Sequence, residues 1–402
     1  MPAERPATDP ASVRSGRDHD VVVLGATGFT GEITAAYLAE HAPAGLRWAL
    51  AGRNRGKLEA VRARLARIDP ALTALTLLEA DSSDAGSLRE LAESTRVVIT
   101  TVGPYLQYGE PLVAACAAAG TDYVDLTGEP EFVDRMYLEH HDRAVESGAR
   151  LVHACGFDSI PHDLGAWFTM QQLGSSDPVR LRGVVRAGGT FSGGTLASAM
   201  GAMSRVRQMR EAMVARRGKE GRPEGRKSRA VSGRPHRDRT LGLWLLPLPT
   251  IDPFVVARSG AALDSYGPDF RYTHYAGLKT LRYAVGGVAA ATGLVAASQV
   301  GPLRRLVQRK AKQGDGPSVA RRAESWFTVD FIAESAGRTL HTRVCGGDPG
   351  YSETAKMLAE SALCLALDDN PSTSGQVTTA TAMAENLVAR LQRAGLRFET
   401  VG

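Results

Sequence analysis

The chain has 402 residues, of which 43% are hydrophobic and 23% charged, with a formal net charge of +5. This length predicts about two domains, and the composition excludes collagen-like, coiled-coil and wholly disordered proteins. The four cysteines (Cys116, Cys155, Cys345 and Cys364) show no CxxC spacing. They therefore argue against a disulfide framework and a zinc site, and we predict no metal and a reducing compartment.

Residues 1–17 predict a disordered tail. They are rich in Pro, Ala, Ser and Arg and contain no apolar run. They do not have the pattern of a secretory signal, so together with the cysteine usage they favour a cytoplasmic protein.

Residues 18–160 alternate short apolar runs with helical patterns, which is typical of a doubly wound parallel sheet. The runs VVVLG and VVITTVG are rich in β-branched residues, as are strands buried on both faces. The predicted fold class is α/β: an N-terminal domain with a doubly wound parallel sheet followed by a second, mixed α/β domain. The predicted strands are 20–24, 47–51, 75–80, 97–102, 123–126 and 150–154, and the predicted helices are 31–41, 57–68, 87–93, 111–119 and 131–147.

The second domain is predicted over residues 161–350, where glycine pairs interrupt the regular alternation. Residues 205–239 hold 13 basic against 4 acidic side chains, an excess larger than that of the whole chain. Within them, the segment 216–239 has almost no large apolar residues, and we predict a mobile basic loop there. The apolar stretch 241–256 follows; with residues 283–303 it predicts surface suited to an apolar ligand such as an acyl chain, and the alternative is ordinary core.

Residues 283–303 form 21 residues without a charge, followed by a basic cluster. The length suffices for a membrane span, but the composition is mostly Ala and Gly, with Ser298 and Gln299 inside. Three interpretations stay open: a packed internal helix, a helix at a membrane surface with basic anchors, and a span. Helical patterns over 351–367 and 376–394 complete the chain.

The heptapeptide GATGFTG (residues 25–31) follows the first predicted strand and opens a predicted helix. This context is the one that a dinucleotide fingerprint requires. The first glycine allows the tight turn, the second lets the backbone approach a pyrophosphate, and the third allows close helix–strand packing. The predicted cofactor contacts in this loop are Gly25, Thr27, Gly28, Phe29, Thr30 and Gly31.

The end of the second predicted strand selects between the two nicotinamide cofactors. An NAD-binding protein usually has Asp or Glu here, whereas this chain has Arg53, with Arg55 and Lys57 nearby. A guanidinium binds a 2′-phosphate through charge-assisted bonds, so we predict NADP(H); the alternative is surface arginines in an arginine-rich chain. Asp81 and Gly103 end the third and fourth strands, and we expect them at the adenine edge and beside the nicotinamide.

Further motifs follow in a fixed order: AGR, TVGPYLQYGEPLVAACAAAGTDYVDLTGE, CGFDSIPHDLG, GGTLAS and CGGDPGYSETAKML. With GATGFTG they resemble the saccharopine dehydrogenase-like oxidoreductases, and the closest subgroup is similar to the actinobacterial trans-acting enoyl reductases. The resemblance runs from about residue 20 to 391 and does not extend to 216–239. It implies an NADPH-binding Rossmann domain, C-terminal helices (351–402) that return to that domain, and reduction of an enoyl thioester in glycolipid or polyketide-lipid biosynthesis.

The proton donor is predicted among residues at the strand ends, because hydride transfer needs orientation and a proton source. Tyr105 and Tyr108 follow the Gly-Pro turn after the fourth strand, and a phenol there donates a proton or binds a thioester carbonyl. We predict these two tyrosines as catalytic; the alternative is loop packing. The other strand-end residues are predicted to be structural: Asp125 and Glu129 as caps or ion pairs, His153 in the core, and Asp158 as a helix cap.

The sequence therefore predicts an NADPH-dependent oxidoreductase acting on a lipid-linked or polyketide-type acyl substrate, an enoyl thioester. Two alternatives stay open: a saccharopine-type amino-acid reductase, and a membrane-docked NADPH-binding protein without turnover. The predicted partners are a small-molecule or carrier-linked acyl substrate, a second copy in a homodimer, and an anionic membrane at the inner face of the plasma membrane. Nucleic acid is excluded, because the basic loop has no aromatic residue to stack on bases.

Overall fold

The structure, a computed structural model, describes residues 16–188, 205–221, 223–282 and 317–401. These residues form two sheets of seven and eight strands, with helices packed on them. The charge-free stretch 283–303 and residues 1–15 of the predicted tail lie outside the described residues. Arg17 already belongs to the fold, because its buried guanidinium donates to the carbonyls of Ala92 and Ala119.

The elements are numbered along the chain. The strands are β1 (His19–Leu24), β2 (Trp48–Gly52), β3 (Thr76–Glu79), β4 (Thr95–Thr100), β5 (Asp122–Asp125), β6 (Arg150–Val152), β7 (Val179–Gly188), β8 (Lys227–Ala230), β9 (His236–Arg237), β10 (Trp244–Pro247), β11 (Asp269–Leu278), β12 (Trp326–Ser335), β13 (Arg338–Gly346), β14 (Gly375–Val377) and β15 (Arg397–Thr400). The helices are α1 (Phe29–His41), α2 (Arg55–Leu65), α3 (Ala85–Ser94), α4 (Tyr105–Tyr108), α5 (Glu110–Ala119), α6 (Pro130–Ser147), α7 (Ile160–Leu173), α8 (Val206–Glu220), α9 (Asp252–Ala262), α10 (Val319–Ala323), α11 (Ser352–Leu367), α12 (Thr379–Ala382) and α13 (Ala384–Arg393).

The first sheet is parallel throughout, in the order β14-β6-β5-β4-β1-β2-β3. Its central strands are buried on both faces, as their continuous apolar runs predict. The order reverses between β1 and β4, which is the switch point where α/β sheets bind ligands. The predicted α/β class is confirmed, and the six predicted strands and five predicted helices of residues 18–160 are present.

The seventh strand, β14, is a difference from the sequence prediction, which placed one helix over 376–394. Gly375, Gln376 and Val377 instead pair with β6, at Arg150, Leu151 and Val152. Gly375 has φ +83°, a conformation that ends a turn but does not start a helix. The parallel edge of β6 therefore decides the conformation of a segment that lies far away in sequence, and the helical pattern of the segment begins only at α12.

The second sheet is mixed, in the order β15-β13-β12-β7-β11-β10-β9, with β8 beside β11. Strand β7 pairs parallel with β11 and antiparallel with β12. Helix α7 packs closely on the inner face of this second sheet: a Cβ at Gly165 of α7 would lie 2.3 Å from the ring of Phe331 in β12. One hydrophobic core joins this face to α11 and one face of the first sheet, since it includes Val21, Phe331 and Leu363.

The segment 216–239 is more ordered than its prediction as a mobile loop. It holds the end of α8 and strands β8 and β9. Acidic partners from neighbouring elements bind some of its arginines: Arg216 pairs with Asp134 of α6, and Arg229 pairs with Asp269 of β11. Part of the charge that suggested a solvated loop is thus used in pairing between elements.

Helix α11 returns to the first sheet and packs against α1, β4 and β5. Twelve of its sixteen residues are buried, and strand β15 then pairs with β13 in the second sheet. The chain therefore passes from the second sheet to the first and back again before its end. Among the helices of the described ranges, none has the length and apolarity needed to cross a membrane.

Candidate functional site

The glycine loop between β1 and α1 is shaped by two of its three glycines. Gly25 has φ +85°, and a Cβ there would lie 2.8 Å from the Thr101 hydroxyl oxygen. A Cβ at Gly31 would lie 2.2 Å from the carbonyl oxygen of Gly25. At Gly28, by contrast, the nearest atom would be 3.4 Å away, at an ordinary φ of −83°. The fold itself thus requires Gly25 and Gly31, whereas Gly28 keeps space free above the loop.

The first turn of α1 fits a phosphate group. Gly28 is its N-cap and supplies no side-chain cap, and Thr27 and Gly28 are exposed. No side chain therefore caps the N–H groups of this turn, and the positive end of the helix dipole favours an anion beside them. The ring of Phe29 packs edge-on against Tyr351, with centroids 4.9 Å apart, so the predicted cofactor contact of Phe29 would be made by its backbone.

At the end of β2, the structure distinguishes the candidate cations for a 2′-phosphate. The Arg55 guanidinium donates to the carbonyl of Leu77 at 3.0 Å and pairs with Glu59 at 3.4 Å. Arg53 is exposed and makes no hydrogen bond or ion pair to any residue that the structure describes. Asn54 between them caps α2 through the Lys57 N–H. Arg53 is thus the arginine with a guanidinium available for a ligand.

Asp81 follows β3 on the same edge of the sheet. Its Oδ1 accepts hydrogen bonds from the backbone N–H and the hydroxyl of Ser83, at 2.9 and 2.8 Å. These bonds, and to a smaller extent the charge of Arg53, hold the pKa of Asp81 below its ordinary value. Asp81 is therefore ionised and fixed beside Arg53, at the edge where an adenosine would lie.

The predicted catalytic tyrosines lie in different environments. Tyr105 is buried; its hydroxyl donates to the Thr100 carbonyl at 3.1 Å and accepts from the Leu126 N–H at 3.1 Å. Burial raises the pKa of its phenol well above the ordinary value. Tyr108, one turn further along α4, is 38% exposed. The Tyr105 hydroxyl therefore ties the end of β4 to the loop after β5, and only Tyr108 offers a free phenol.

Two carboxylates at the end of β5 hold backbone together. The buried Asp125 accepts from the Tyr123 hydroxyl, from His153 Nδ1 at 2.7 Å and from two backbone N–H groups. Glu129 accepts from the N–H groups of Tyr105 and Leu106. These contacts are structural, as expected from the sequence for both residues and for His153, and they fix the loops that follow β4, β5 and β6.

Asp158 differs from these carboxylates, because nothing in the described ranges donates a hydrogen bond to it. It lies in the loop between β6 and α7 and is half-buried. Its Oδ2 is 3.6 Å from the point that a Cβ on Gly128 would occupy, so it lies beside the loop after β5. Ser159, not Asp158, is the N-cap of α7, and it makes no side-chain cap. The prediction that Asp158 caps the helix is therefore wrong.

A buried cluster of His162, Asp252 and His274 lies behind Asp158. His162 Nδ1 is 3.0 Å from Asp252 Oδ1, and His274 Nε2 is 3.5 Å from Asp252 Oδ2. The hydroxyl of Tyr272 lies 3.0 Å from His274 Nδ1. All three charged or titratable groups are about 1% exposed. They come from α7, α9 and β11, so this cluster joins the second sheet to the site.

The charge state of this cluster follows from its geometry. Burial disfavours the ion pair, but Asp252 raises the pKa of His162, and His162 in turn lowers the pKa of Asp252. Burial lowers the pKa of His274 to about 3, so that this imidazole is neutral. Burial, reinforced by the charge of Asp252, raises the pKa of Asp158 to about 7. The cluster is therefore a His162–Asp252 ion pair beside a neutral histidine and a carboxyl that holds its proton near neutral pH.

The ligating atoms of His162, Asp252 and His274 all lie within 4.8 Å of one another. A metal ion would require neutral imidazoles, whereas Asp252 favours the protonated form of His162. We interpret the cluster as an ion pair, and the absence of a metal stays a prediction. The sequence did not single out Asp252 or His274, because only the folded chain brings their strand and helix to α7.

Comparisons with known proteins agree with this geometry. Residues 21–152 match the family model described as the saccharopine dehydrogenase NADP binding domain. The chain is 36% identical over 418 residues to the trans-acting enoyl reductase of Mycobacterium tuberculosis, covering 96% of this chain and 98% of that protein. A second protein of that organism, named provisionally as a trans-acting enoyl reductase, is 39% identical over 414 residues, with the same coverage. The chain belongs to the trans-acting enoyl reductase family.

The fold of this family member is also that of a solved dehydrogenase. Saccharopine dehydrogenase (L-Glu forming) of Saccharomyces cerevisiae aligns with a TM-score of 0.54 and 13% identity, over 96% of this chain and all of that one. The family model makes NADP(H) the cofactor of this trans-acting enoyl reductase family member, and the predicted family, fold and cofactor are confirmed. The individual cofactor contacts and the catalytic tyrosines stay predictions.

Proposed function

We propose that the protein is an NADPH-dependent reductase that saturates the carbon–carbon double bond of an enoyl thioester. The observation that carries this proposal is the similarity to trans-acting enoyl reductases over 96% of the chain. The glycine loop with its unhindered Gly28 and the unpaired Arg53 support the cofactor half of the proposal. The relatives are named enoyl reductases, and this supports a carbon–carbon double bond as the acceptor of the hydride.

The chain's own residues would bind and orient the cofactor. The N–H groups of the first turn of α1 would bind the pyrophosphate, Arg53 would neutralise the 2′-phosphate, and the loop at Gly103 would border the nicotinamide. Bound NADPH supplies a hydride to the acceptor carbon. Asp125 and Glu129 hold the loops after β4, β5 and β6 in fixed positions, so that the acceptor is oriented by rigid backbone.

The acyl part of the proposed substrate takes its support from the relatives. The stretch 241–256, predicted from the sequence as acyl-binding surface, is buried in part: Leu245 packs with Val184 and Tyr275, and Ile251 and Val255 pack against the first sheet. Most of its other apolar side chains are half-buried, so the acyl-binding surface stays a prediction. The proposed thioester therefore rests on the relatives, and its attachment to a carrier protein is part of the proposal.

Turnover with thioesters tests the proposed function directly. The purified chain is mixed with NADPH and trans-2-enoyl thioesters of coenzyme A, from short to long chain, and loss of reduced cofactor is followed with mass analysis of the product. We expect oxidation of NADPH coupled to a product two hydrogens heavier. The matched controls are the saturated thioesters, and L-lysine with 2-oxoglutarate for the amino-acid alternative. Oxidation with the amino-acid pair alone would refute the proposal.

Contact with an anionic membrane and a homodimer, both expected from the sequence, remain proposals about partners. The pairing of Arg216 and Arg229 with acidic residues reduces the charge available to a lipid surface. Vesicle flotation with and without phosphatidylserine tests the first, and light scattering of the purified chain tests the second. NADPH binding with flotation and without any turnover would favour the membrane-docked alternative.

A further inference from the structure

A reductase of this kind needs a proton source beside the acceptor, and one side chain is placed to be that source. The loops after β4, β5 and β6 open at the same edge of the first sheet, on the nicotinamide side of the switch point. In these loops the carboxylates of Asp125 and Glu129 are saturated with hydrogen bonds. Asp158 is the half-buried carboxyl there to which no described residue donates.

We propose that Asp158 is the catalytic acid that donates a proton to the substrate in the reduction. The proposal rests on the proposed function. Its carboxyl group lies over Gly128, where the missing side chain leaves room, with Oδ2 3.6 Å from the position of an added Cβ. The Phe157 N–H donates to Thr354 of α11 at 3.1 Å, and the Phe157 ring packs on His162 and Phe327. The loop before Asp158 is therefore held by α11, α7 and β12.

The surroundings of Asp158 favour its protonated form at neutral pH. Burial raises the pKa of Asp158 to about 7; the negative charge of Asp252 adds to this effect, and the positive charge of His162 offsets part of it. His274 faces the same cluster from β11 and is neutral, and Glu129 beside Gly128 is committed to two backbone N–H groups. A carboxyl with a pKa near the working pH is suited to general acid catalysis.

The chemical step balances with this assignment. Hydride addition to carbon β of the enoyl thioester forms one C–H bond and moves the π-electron pair to carbon α and the thioester oxygen. The O–H bond of Asp158 breaks, and its proton forms the second C–H bond at carbon α. The products are the saturated thioester, NADP⁺ and the Asp158 carboxylate. Because Asp158 is half-buried and not sealed off, water returns the proton before the next cycle.

Asp158→Asn tests the assignment, since it keeps the shape and removes the acid. We expect kcat with the best enoyl thioester to fall by about 100-fold or more, the usual contribution of a positioned acid. The Kd for NADPH should stay within twofold of wild type. The wild-type kcat should decrease above about pH 7, and this alkaline limb should be missing in Asp158→Asn. The control is Asp69→Asn, an aspartate whose carboxylate caps a distant turn at Ala71, a role that asparagine also fills.

A measurement without turnover separates this inference from the proposed function. In protein labelled with ¹³C at the aspartate carboxyl carbons, the signal lost in Asp158→Asn identifies Asp158, and its titration gives the pKa of the cofactor-free protein. A midpoint near 7 supports the inference, and a midpoint below 5 overturns it. If wild type reduces no thioester, the proposed function fails and the titration still decides the state of Asp158. If wild type is active, then Asp158→Asn with more than a third of its kcat, or loss of activity in Tyr108→Phe instead, overturns the inference.

Discussion

Replacement of Arg53 by alanine should remove the preference for NADPH over NADH. The Arg53 guanidinium is exposed and makes no hydrogen bond or ion pair to a described residue, although its charge lowers the pKa of Asp81, so a 2′-phosphate does not have to break an existing ion pair. A charge-assisted hydrogen bond contributes about 1.5–3 kcal/mol, which corresponds to roughly a 10- to 150-fold change in Kd. Asp81 is ionised beside Arg53, and without the arginine its charge repels the phosphate. We therefore expect the upper part of this range for NADPH and no change for NADH.

Fluorescence titration of the purified protein with each cofactor measures this effect. The matched control is Arg55→Ala, two residues away, because the Arg55 guanidinium is already bound to Leu77 and Glu59. It should leave the ratio of the two Kd values within threefold of wild type. The salt dependence of NADPH binding should also become weaker in Arg53→Ala. An unchanged ratio in Arg53→Ala, or an equal loss in Arg55→Ala, would refute the assignment of the phosphate site.

Three further predictions concern the loops around the site. Gly28→Ala should keep the thermal stability of wild type but weaken NADPH binding at least tenfold. Gly31→Ala, whose Cβ would lie 2.2 Å from a carbonyl oxygen, should instead lower the temperature midpoint of unfolding. Calorimetry and cofactor titration distinguish the two variants, and equal behaviour of both would contradict the reasoning. Tyr105→Phe leaves the Leu126 N–H without a partner and should cost about 1–3 kcal/mol in urea unfolding, so that a loss under about 0.5 kcal/mol would argue against the structural role. The raised pKa of Asp158, about 7, means that the folded protein holds a proton that the unfolded chain has lost, so stability falls as pH rises from about 4 to 7. Asp158→Asn should then be more stable than wild type by about 2 kcal/mol at pH 8 and equally stable at pH 4. The rise in pKa from about 4 to about 7 corresponds to about 4 kcal/mol, and half of this value is expected because the carboxyl is partly exposed to solvent.

The fold of residues 18–160 was predictable because each of its elements carries a local signal. The runs of β1 and β4 are apolar throughout since both faces of a parallel strand are covered, and GATGFTG marks the turn between β1 and α1. Arg53 was predictable for the same reason, as it follows a strand at a fixed place in the motif. The structure added the distinction from Arg55, which depends on the carbonyl of Leu77 in a different strand.

The rest of the site could not be predicted, because its partners come from distant segments. Nothing in the neighbourhood of Asp252 or His274 indicates that these side chains meet His162. The hydroxyl of Tyr105, predicted as a proton donor from its place after a strand, turned out to bind two backbone groups that only the sheet brings within reach. Segment 216–239 was predicted as a loop from its charge, which cannot reveal acidic partners on α6 and β11.

The position of β14 determines when the cofactor-binding sheet can be completed during synthesis. Until Gly375–Val377 is available, β6 has an open edge, and the apolar surface of α1 and β4 that α11 covers remains in water. A ribosome-bound chain of about 160 residues therefore contains every glycine and arginine of the cofactor site but lacks the strand and helix that close it. We expect the nascent N-terminal half to bind NADPH poorly and to need protection from aggregation until the last quarter of the chain has emerged.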